Sequence, residues 1–369
     1  MSAPRAATAA VASEVLPWLA APLAETLRSQ RGHALLVHGP QGAGQFEFAI
    51  ALARAWLCET PAETRPQGLA CGHCESCHLA TADQVHPDLC VLMPDALHLK
   101  LGWRQKTDEP ESAEGKKKPS EWIAVDQVRA AIAFSTLTRG RGQLKVVVIH
   151  PAERLPQIAA SALLKLLEEP QGNQRFVLAC GDAAALLPTV RSRCHAVVLP
   201  TPDPAEAVRW LAAAGLADAA VLLAASGGQA LAALERQPLG LDAALWARLP
   251  TLVAAGDALA LSRLPVALLI DSLQKLCHDA MLGACGVAPR FFPPGSLPPA
   301  GDLRRLTDWA QALRRIARHA EHPWKADLML ESLLLQGRDA LAGAAPDPKL
   351  ATHATQGKRP HSVSVHSAR

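Results

Sequence analysis

The segment LLVHGPQGAGQFEFAI, residues 35–50, has the outline of a phosphate-binding loop: an apolar strand, a glycine-rich turn and a helix. In the pattern G-x-x-x-x-G-K-[ST], backbone N–H groups hold phosphates, the lysine reaches the β- and γ-phosphates, and the hydroxyl binds Mg²⁺. Here Gln45 stands at the lysine position and Phe46 at the hydroxyl position. The turn itself is supplied by Gly39, Gly42 and Gly44. A degenerate nucleotide site is predicted, with a coincidental glycine turn as the alternative; the sequence leaves open whether ATP still binds.

A second part of an ATPase site is also missing. Hydrolysis needs a carboxylate at the end of a second strand to position Mg²⁺. The apolar run KVVVIH ends on His150 and continues with Pro151, Ala152 and Glu153 instead of Asp-Glu. An imidazole cannot replace that carboxylate, so no intrinsic ATP hydrolysis is expected.

Four cysteines form the third group that could do chemistry. ACGHCESCH carries Cys71, Cys74 and Cys77 at C-x₂-C-x₂-C spacing, and Cys58 precedes them by twelve intervening residues. Four thiolates can close a tetrahedral site, so residues 58–77 are predicted to form a structural Zn²⁺ module. An iron–sulfur cluster is the alternative, although ferredoxin motifs continue with C-x₃-C-P, which this chain lacks. Possible substitute ligands are His73, His78 and His86. The other cysteines are predicted to lie in the core: Cys90, Cys180, Cys194, Cys277 and Cys285.

Two arginines alternate in TVRSRC, residues 189–194. Arg191 and Arg193 either form a solvated face or present an arginine to a neighbouring molecule. An arginine supplied in trans stabilises the charge on a transferring phosphoryl group and raises the rate by roughly 10³–10⁵.

Strands and helices alternate along the first half of the chain, which predicts a doubly wound parallel sheet. The predicted strands lie in 33–39, 89–94, 145–150, 175–180 and at the end of 186–200. The predicted helices lie in 16–30, 45–58 and 160–170, and residues 122–138 are predicted to be a strand end that runs into a helix.

Three domains and a tail are predicted from the change in pattern after Pro200. An α/β domain (1–201) is followed by a small helical domain (202–242) and a larger all-helical domain (243–345), which a Pro-rich break interrupts at 290–302. The polar segment 95–121 is predicted to be a flexible insertion, and 346–369 a disordered tail, because such compositions cannot bury enough apolar surface.

Composition excludes some classes of protein. The formal charge of +3 is no larger than the excess carried by the predicted tail, so the folded part is near neutral and a dedicated nucleic-acid binder is not expected. No signal peptide or long apolar run is found, which predicts a cytoplasmic protein without membrane association. Lys116, Lys117 and Lys118 are either solvated or contact DNA phosphates.

The motifs HALLVHGPQGAGQ, CGHCESC, ASALLKLLEEP and LLPTVRSRC occur in this order. Together they resemble the AAA+ subunits of the bacterial DNA polymerase III clamp loader over most of residues 16–236. The resemblance is to the delta-prime type more than to the gamma/tau motor type. Motor subunits carry Lys-Thr in the phosphate loop and Asp-Glu after the second strand, and this chain has neither.

The resemblance implies a stator, which keeps the AAA+ fold without turning over ATP. It implies that Ser192-Arg193-Cys194 offers Arg193 to the ATP of a neighbouring subunit, and that the four cysteines of residues 58–77 bind zinc. Gln229 falls near the position of a nucleotide-sensing arginine. The resemblance also implies that the helical domain 202–242 is a lid domain and that the helical domain 243–345 forms an oligomerisation collar. The implied partners are the gamma/tau and delta subunits and, through the complex, the sliding clamp and primed DNA.

Two other functions stay open at this point. One is an ATP-hydrolysing clamp-loader motor with unusual motifs, which measurable turnover by the purified chain would indicate. The other is a zinc-containing DNA-binding module, which tight DNA binding by the chain alone would indicate.

Overall fold

The structure, a computed structural model, describes residues 15–81, 85–103, 119–142, 144–299, 301–318 and 325–342. The chain divides into two compact units, with the boundary between Pro238 and Leu239. The finer predicted division into an α/β domain and a helical lid at 201/202 stays a prediction. The predicted tail, 346–369, lies outside the described residues.

A sheet of five parallel strands forms the centre of the first unit, in the order β2-β3-β4-β1-β5. The strands are β1 (Ala34–His38), β2 (Leu89–Leu92), β3 (Lys145–Ile149), β4 (Gln174–Cys180) and β5 (His195–Val198). Strands β1, β3 and β4 are buried along most of their length, as expected for a parallel sheet covered on both faces. The predicted doubly wound parallel sheet is confirmed.

Helices cover the sheet and continue beyond it. They are α1 (Pro17–Ser29), α2 (Gln45–Leu57), α3 (Glu75–Thr81), α4 (Asp95–Leu101), α5 (Val125–Thr136), α6 (Gln157–Glu168), α7 (Pro188–Arg191), α8 (Pro204–Ala213), α9 (Ala219–Ala225) and α10 (Ala230–Arg236). Val147 and Phe176 of the sheet pack in one core with Val128 of α5 and Leu163 of α6. Side chains alternate across a strand, so the intervening residues face the side on which α2 packs.

Two sequence predictions are wrong in this unit. The structure begins α5 at Val125 and has no strand immediately before it. The predicted flexible insertion, 95–121, is wrong at its start, because α4 forms there and Trp103 is buried. The acidic and lysine-rich centre of the insertion dominates its composition and hides this apolar anchor. That centre, 104–118 with its three lysines, lies outside the described residues.

The second unit is helical in its described part, as predicted. Its helices are α11 (Ala243–Ala255), α12 (Ala258–Leu261), α13 (Val266–Ala284), α14 (Leu303–Ala317) and α15 (Ala326–Leu341). The Pro-rich break is anchored: buried Asp279 accepts backbone N–H groups of Phe291 and Phe292 at 2.7 and 3.0 Å. The ring of Phe292 stacks on Trp246 with the centroids 4.2 Å apart.

Among the scattered cysteines, Cys180 and Cys277 are buried as predicted, and Cys90 and Cys194 are half-buried. Cys285 is exposed, so its assignment to the core is wrong; it follows the last residue of α13, where the apolar face of the helix ends. Among the described helices, none has both the length and the apolar character needed to cross a bilayer.

Candidate functional site

The glycine-rich loop joins the end of β1 to the start of α2, at the carboxyl edge of the parallel sheet. Gly42 and Gly44 have φ of +78° and +99°, the left-handed region that favours glycine. The indole N–H of Trp18 donates to the carbonyl oxygen of Ala43 at 2.9 Å. The predicted strand–loop–helix arrangement is therefore present, and α1 braces the loop.

Gln45 stands where a phosphate-binding loop carries its lysine, and its side chain folds back into the loop. Its amide N–H₂ group donates to the carbonyl oxygens of Gly39 at 2.9 Å and of Pro40 at 2.7 Å. Only 6% of the residue is exposed. The side chain therefore bonds to its own loop and brings no positive charge to the place where phosphates would lie.

Aromatic rings stand at the two positions where an ATPase would carry its metal-binding hydroxyl and its carboxylate, Phe46 and His150. The ring centroids of Phe46 and His150 lie 5.2 Å apart, and Trp103 packs edge-on against Phe46 at 5.5 Å. Burial lowers the pKa of His150 to about 4, although a hydrogen bond with the Ala179 carbonyl opposes this shift. His150 is thus neutral near pH 7, and neither it nor Phe46 offers an anionic ligand to Mg²⁺.

The cavity beside the loop has a volume of about 540 Å³ and several carboxylates in its wall. Burial raises the pKa of Glu47 to about 7, and the charge of Glu235 acts in the same direction. Lys100 of α4 is already paired with Glu235 at 2.8 Å. The other charged residues in the wall are Glu153, Arg154 and Asp182. Carboxylates oppose the phosphates of a nucleotide, so this electrostatic arrangement disfavours a triphosphate.

Gln229 precedes α10 and lies against the loop. A Cβ atom built on Gly42 would come within 3.0 Å of the Cβ of Gln229. Gln229 therefore lies beside the loop, but its amide carries no charge that could sense a phosphate.

Arg193 follows α7, and its guanidinium is bound within its own chain. The Nε group donates to Oε1 of Glu168 at 2.6 Å, and Nη2 forms an ion pair with the same oxygen. Nη1 donates to the carbonyl oxygen of Thr189 at 2.8 Å. About a third of the Arg193 side chain, 32%, is exposed. Arg191, by contrast, is exposed on the last turn of α7.

Glu168, the last residue of α6, was missed in the sequence as a partner of Arg193. The two residues are 25 positions apart, and only the packing of α6 beside α7 brings them together. The acidic end of LLKLLEEP was the one available signal, and it does not indicate which residue the carboxylate will contact.

Cys58, Cys71, Cys74 and Cys77 lie together as predicted, with one ligand atom of each within 4.8 Å of the others. The Sγ atoms of Cys58 and Cys74 are 3.8 Å apart, and those of Cys71 and Cys77 are 3.9 Å apart. Cys58 directly follows α2, and Cys77 lies in α3, so two helices fix the ends of the cluster. These four cysteines could hold a metal ion.

Side chains around the cysteine cluster connect it to the sheet domain. Ser76 donates to a carboxylate oxygen of Glu59 at 3.0 Å, and Arg141 donates to the same oxygen at 3.2 Å. The Nε2 atom of buried His86 lies 3.1 Å from the hydroxyl of Ser76. His73 and His78 are exposed. The predicted substitute ligands thus stand outside the group of four.

The profile of the family described as DNA polymerase III, delta subunit, matches residues 19–203, about half of the chain. A protein named DNA polymerase III subunit delta' from Pseudomonas aeruginosa is 38% identical over 226 residues, 60% of this chain and 61% of that protein. A protein of the same name from Escherichia coli is 34% identical over 200 residues, 53% of this chain and 52% of that protein. The chain thus spans between about half and three fifths of these relatives' length.

Among solved structures, a DNA polymerase III gamma subunit-related protein from Thermotoga maritima superposes on 86% of this chain and 98% of its own length. The identity is 17% and the TM-score 0.42. The family profile covers the sheet, the glycine-rich loop, the cysteine cluster and Arg193 in one continuous match. The fold is an α/β domain with a parallel sheet, followed by a C-terminal region that is all-α in its described part, and the chain belongs to the DNA polymerase III delta subunit family.

Proposed function

We propose that this protein is a stator subunit of the bacterial DNA polymerase III clamp loader, which hydrolyses no ATP itself. One contrast carries the proposal. The residues at the lysine, hydroxyl and carboxylate positions, Gln45, Phe46 and His150, cannot serve Mg²⁺-ATP. Arg193, the residue that would act on a neighbouring subunit's ATP, is retained. A chain that lacks the residues for its own Mg²⁺-ATP site, but has the arginine for a neighbour's site, is expected to act on the neighbour's ATP.

Hydrolysis at the chain's own loop is opposed by three independent features. Gln45 is bonded to the loop carbonyls, the rings of Phe46 and His150 occupy the metal region, and carboxylates line the cavity. Since phosphoryl transfer depends on positioning and on stabilising negative charge, a loop without its lysine, and with no metal ligand at the positions of Phe46 and His150, does not support it.

Arg193 would act in trans as an arginine finger. In the isolated chain its guanidinium is held by Glu168. In the complex it would exchange that carboxylate for the phosphate oxygens of the neighbour's ATP. Both partners are anions that a guanidinium binds, and the exchange would free Nε and Nη2, which both contact Oε1 of Glu168, for the phosphate.

Zinc is the metal that the four cysteines would hold. With Zn–S bonds of about 2.3 Å, tetrahedral geometry separates two sulfur atoms by about 3.8 Å. The measured separations of 3.8 and 3.9 Å fit that value. When bound, the ion would supply structural cross-linking. The cysteines would join the end of α2 to α3 across a segment in which residues 61–67 are almost all exposed.

The remaining parts of the proposal concern assembly. Gamma/tau and delta subunits would be the partners, with the sliding clamp and primed DNA bound through the complex in the cytoplasm. The C-terminal helices would form the collar.

The experiment is a reconstituted loader whose DNA- and clamp-stimulated ATPase is compared between the natural chain, Arg193→Ala and the matched control Arg191→Ala.

A fall of at least about tenfold for Arg193→Ala alone, equal to about 1.4 kcal/mol of barrier, would support the proposal if all three chains enter the complex equally. Equal turnover by the two variants would refute the trans arginine. ATP turnover by the isolated natural chain would refute the stator and favour a motor.

A further inference from the structure

A cavity of about 800 Å³ lies at the amino edge of the sheet, opposite the edge that carries the glycine-rich loop. Its wall is built by the end of α1, the end of α2, residues 62–68 and the start of β4. None of the site residues described above lines it.

Arginines dominate the charge of this cavity. The cationic residues in the wall are Arg28, Arg31, Arg65 and Arg175, and the acidic ones are Glu25 and Glu63. Arg28 is neutralised by Glu25 in an ion pair along α1. Arg65 uses Nη1 to donate to the carbonyl oxygens of Ala55 and Leu69 at 3.0 and 2.9 Å. Among the described residues, Arg31 and Arg175 are the cations of this wall whose guanidinium groups form neither an ion pair nor a backbone hydrogen bond.

Arg175 and Arg31 are two like charges in the wall of this cavity. Within the described residues, neither has a carboxylate at ion-pair distance. The guanidinium of Arg175 lies over the ring of Trp56, 4.4 Å from its centroid. Partial burial lowers the pKa of Arg175, and the charge of Arg31 lowers it further. A half-buried cation beside a second cation is destabilising until an anion joins them.

We propose that this cavity binds the phosphate group of a nucleotide, either free or within a single-stranded nucleic acid. Two guanidinium forks match the oxygens of a phosphate, and they bind it through paired N–H groups. The volume lies in the range of sites for nucleotide-sized ligands. The guanidinium of Arg175, which lies over the ring of Trp56, adds a flat surface of the kind on which bases stack. The proposal is independent of the proposed role of Arg193.

The test uses the full chain with three probes: inorganic pyrophosphate, ADP and a fluorescein-labelled oligothymidylate followed by anisotropy. The variant is Arg31→Gln with Arg175→Gln. The matched control, Arg129→Gln with Arg209→Gln, removes the same charge from exposed positions on α5 and α8. Because Arg175 packs on Trp56, the single variant Arg31→Gln, at an exposed position, is measured as well.

The Arg31/Arg175 variant is expected to bind the phosphate probe at least about tenfold more weakly than the control, and Arg31→Gln about threefold more weakly. For the oligothymidylate, the slope of log K against log salt should become shallower by about 0.7, the contribution of the one phosphate that both arginines hold. Binding of pyrophosphate and ADP without the oligothymidylate would identify a free nucleotide; oligothymidylate binding would identify a single strand. Equal binding by variant and control, or binding of none of the probes, would overturn the proposal.

Discussion

The guanidinium of Arg193 is held by the carboxylate of Glu168, with Nε donating to Oε1 at 2.6 Å. The pair joins the end of α6 to the second residue beyond α7, so the position of the arginine depends on the packing of these helices. Glu168 is a positioning residue for Arg193 in the isolated chain and, under the proposed function, a competitor for it in the complex.

Glu168→Gln is expected to raise the basal ATPase of the reconstituted loader by a factor between about 1.4 and five. The reason is that an exposed ion pair contributes about 0.2–1 kcal/mol, and this is the free energy that the neighbour's phosphates must overcome to recruit Arg193. Steady-state turnover against ATP concentration checks the prediction.

Glu169→Gln is the matched control, because Glu169 is the next carboxylate in the chain and is exposed. The gain should also disappear when Arg193→Ala is combined with Glu168→Gln. A gain that survives this combination would mean that Glu168 acts on something other than Arg193.

Gln45→Ala is expected to lower the free energy of unfolding by about 1–2 kcal/mol, because it removes two partly buried hydrogen bonds to the loop carbonyls. Urea unfolding measures the change, with Gln41→Ala at an exposed position of the same loop as the control. The variant should gain no ATP binding. Equal stability of the two variants would show that the folded-back side chain does not hold the loop.

Cys74→Ser is expected to reduce bound zinc from about one ion per chain to a small fraction, since a structural zinc site needs all four ligands. Elemental analysis of the purified protein measures the metal, and Cys285→Ser, at an exposed cysteine outside the cluster, is the control. Visible absorbance with iron in place of zinc would contradict the proposed metal.

Stability should fall with rising pH because of Glu47. Its pKa is raised to about 7 by burial, whereas a glutamate in an unfolded chain has a pKa of about 4.3. Between these values the unfolded chain has released the proton and the folded protein keeps it. The contribution of Glu47 to the free energy of unfolding therefore decreases as pH rises through this range and stays low above it.

Glu47→Gln cannot ionise, so its free energy of unfolding should exceed that of the natural chain by about 1–3 kcal/mol near pH 8. This advantage should vanish near pH 4. Urea unfolding across this pH range measures it, with Glu75→Gln at an exposed position as the control. A difference that does not change with pH would mean that Glu47 titrates normally.

The strands and the cysteine cluster are readable from the sequence because each depends on local pattern. A buried parallel strand must be apolar throughout, which makes KVVVIH and RFVLAC recognisable from their residue types alone. Ligands of one metal ion often follow one another at short spacing, so the spacing of Cys71, Cys74 and Cys77 indicates a shared candidate metal site. The missing lysine and hydroxyl are visible for the same reason, because the loop pattern assigns a role to each position.

The wrong predictions concern segments whose structure depends on distant contacts. The polar neighbours of Trp103 indicate a flexible insertion, but its ring packs against Phe46, far away in the sequence. The apolar neighbours of Cys285 indicate a core position, but it follows the helix end at the surface.

By itself, the sequence determined the fold class, the candidate metal ligands and the absence of lysine and hydroxyl from the loop pattern, because these depend on residue type and on spacing along the chain. Only the tertiary structure decided what these side chains contact: Gln45 bonds to its own loop, Phe46 packs against His150, and Arg193 pairs with Glu168. Each of these contacts depends on distances and directions across packed elements. The order of residues along the chain does not show which side chains will meet, because the packing of the sheet and its helices sets the distances between them.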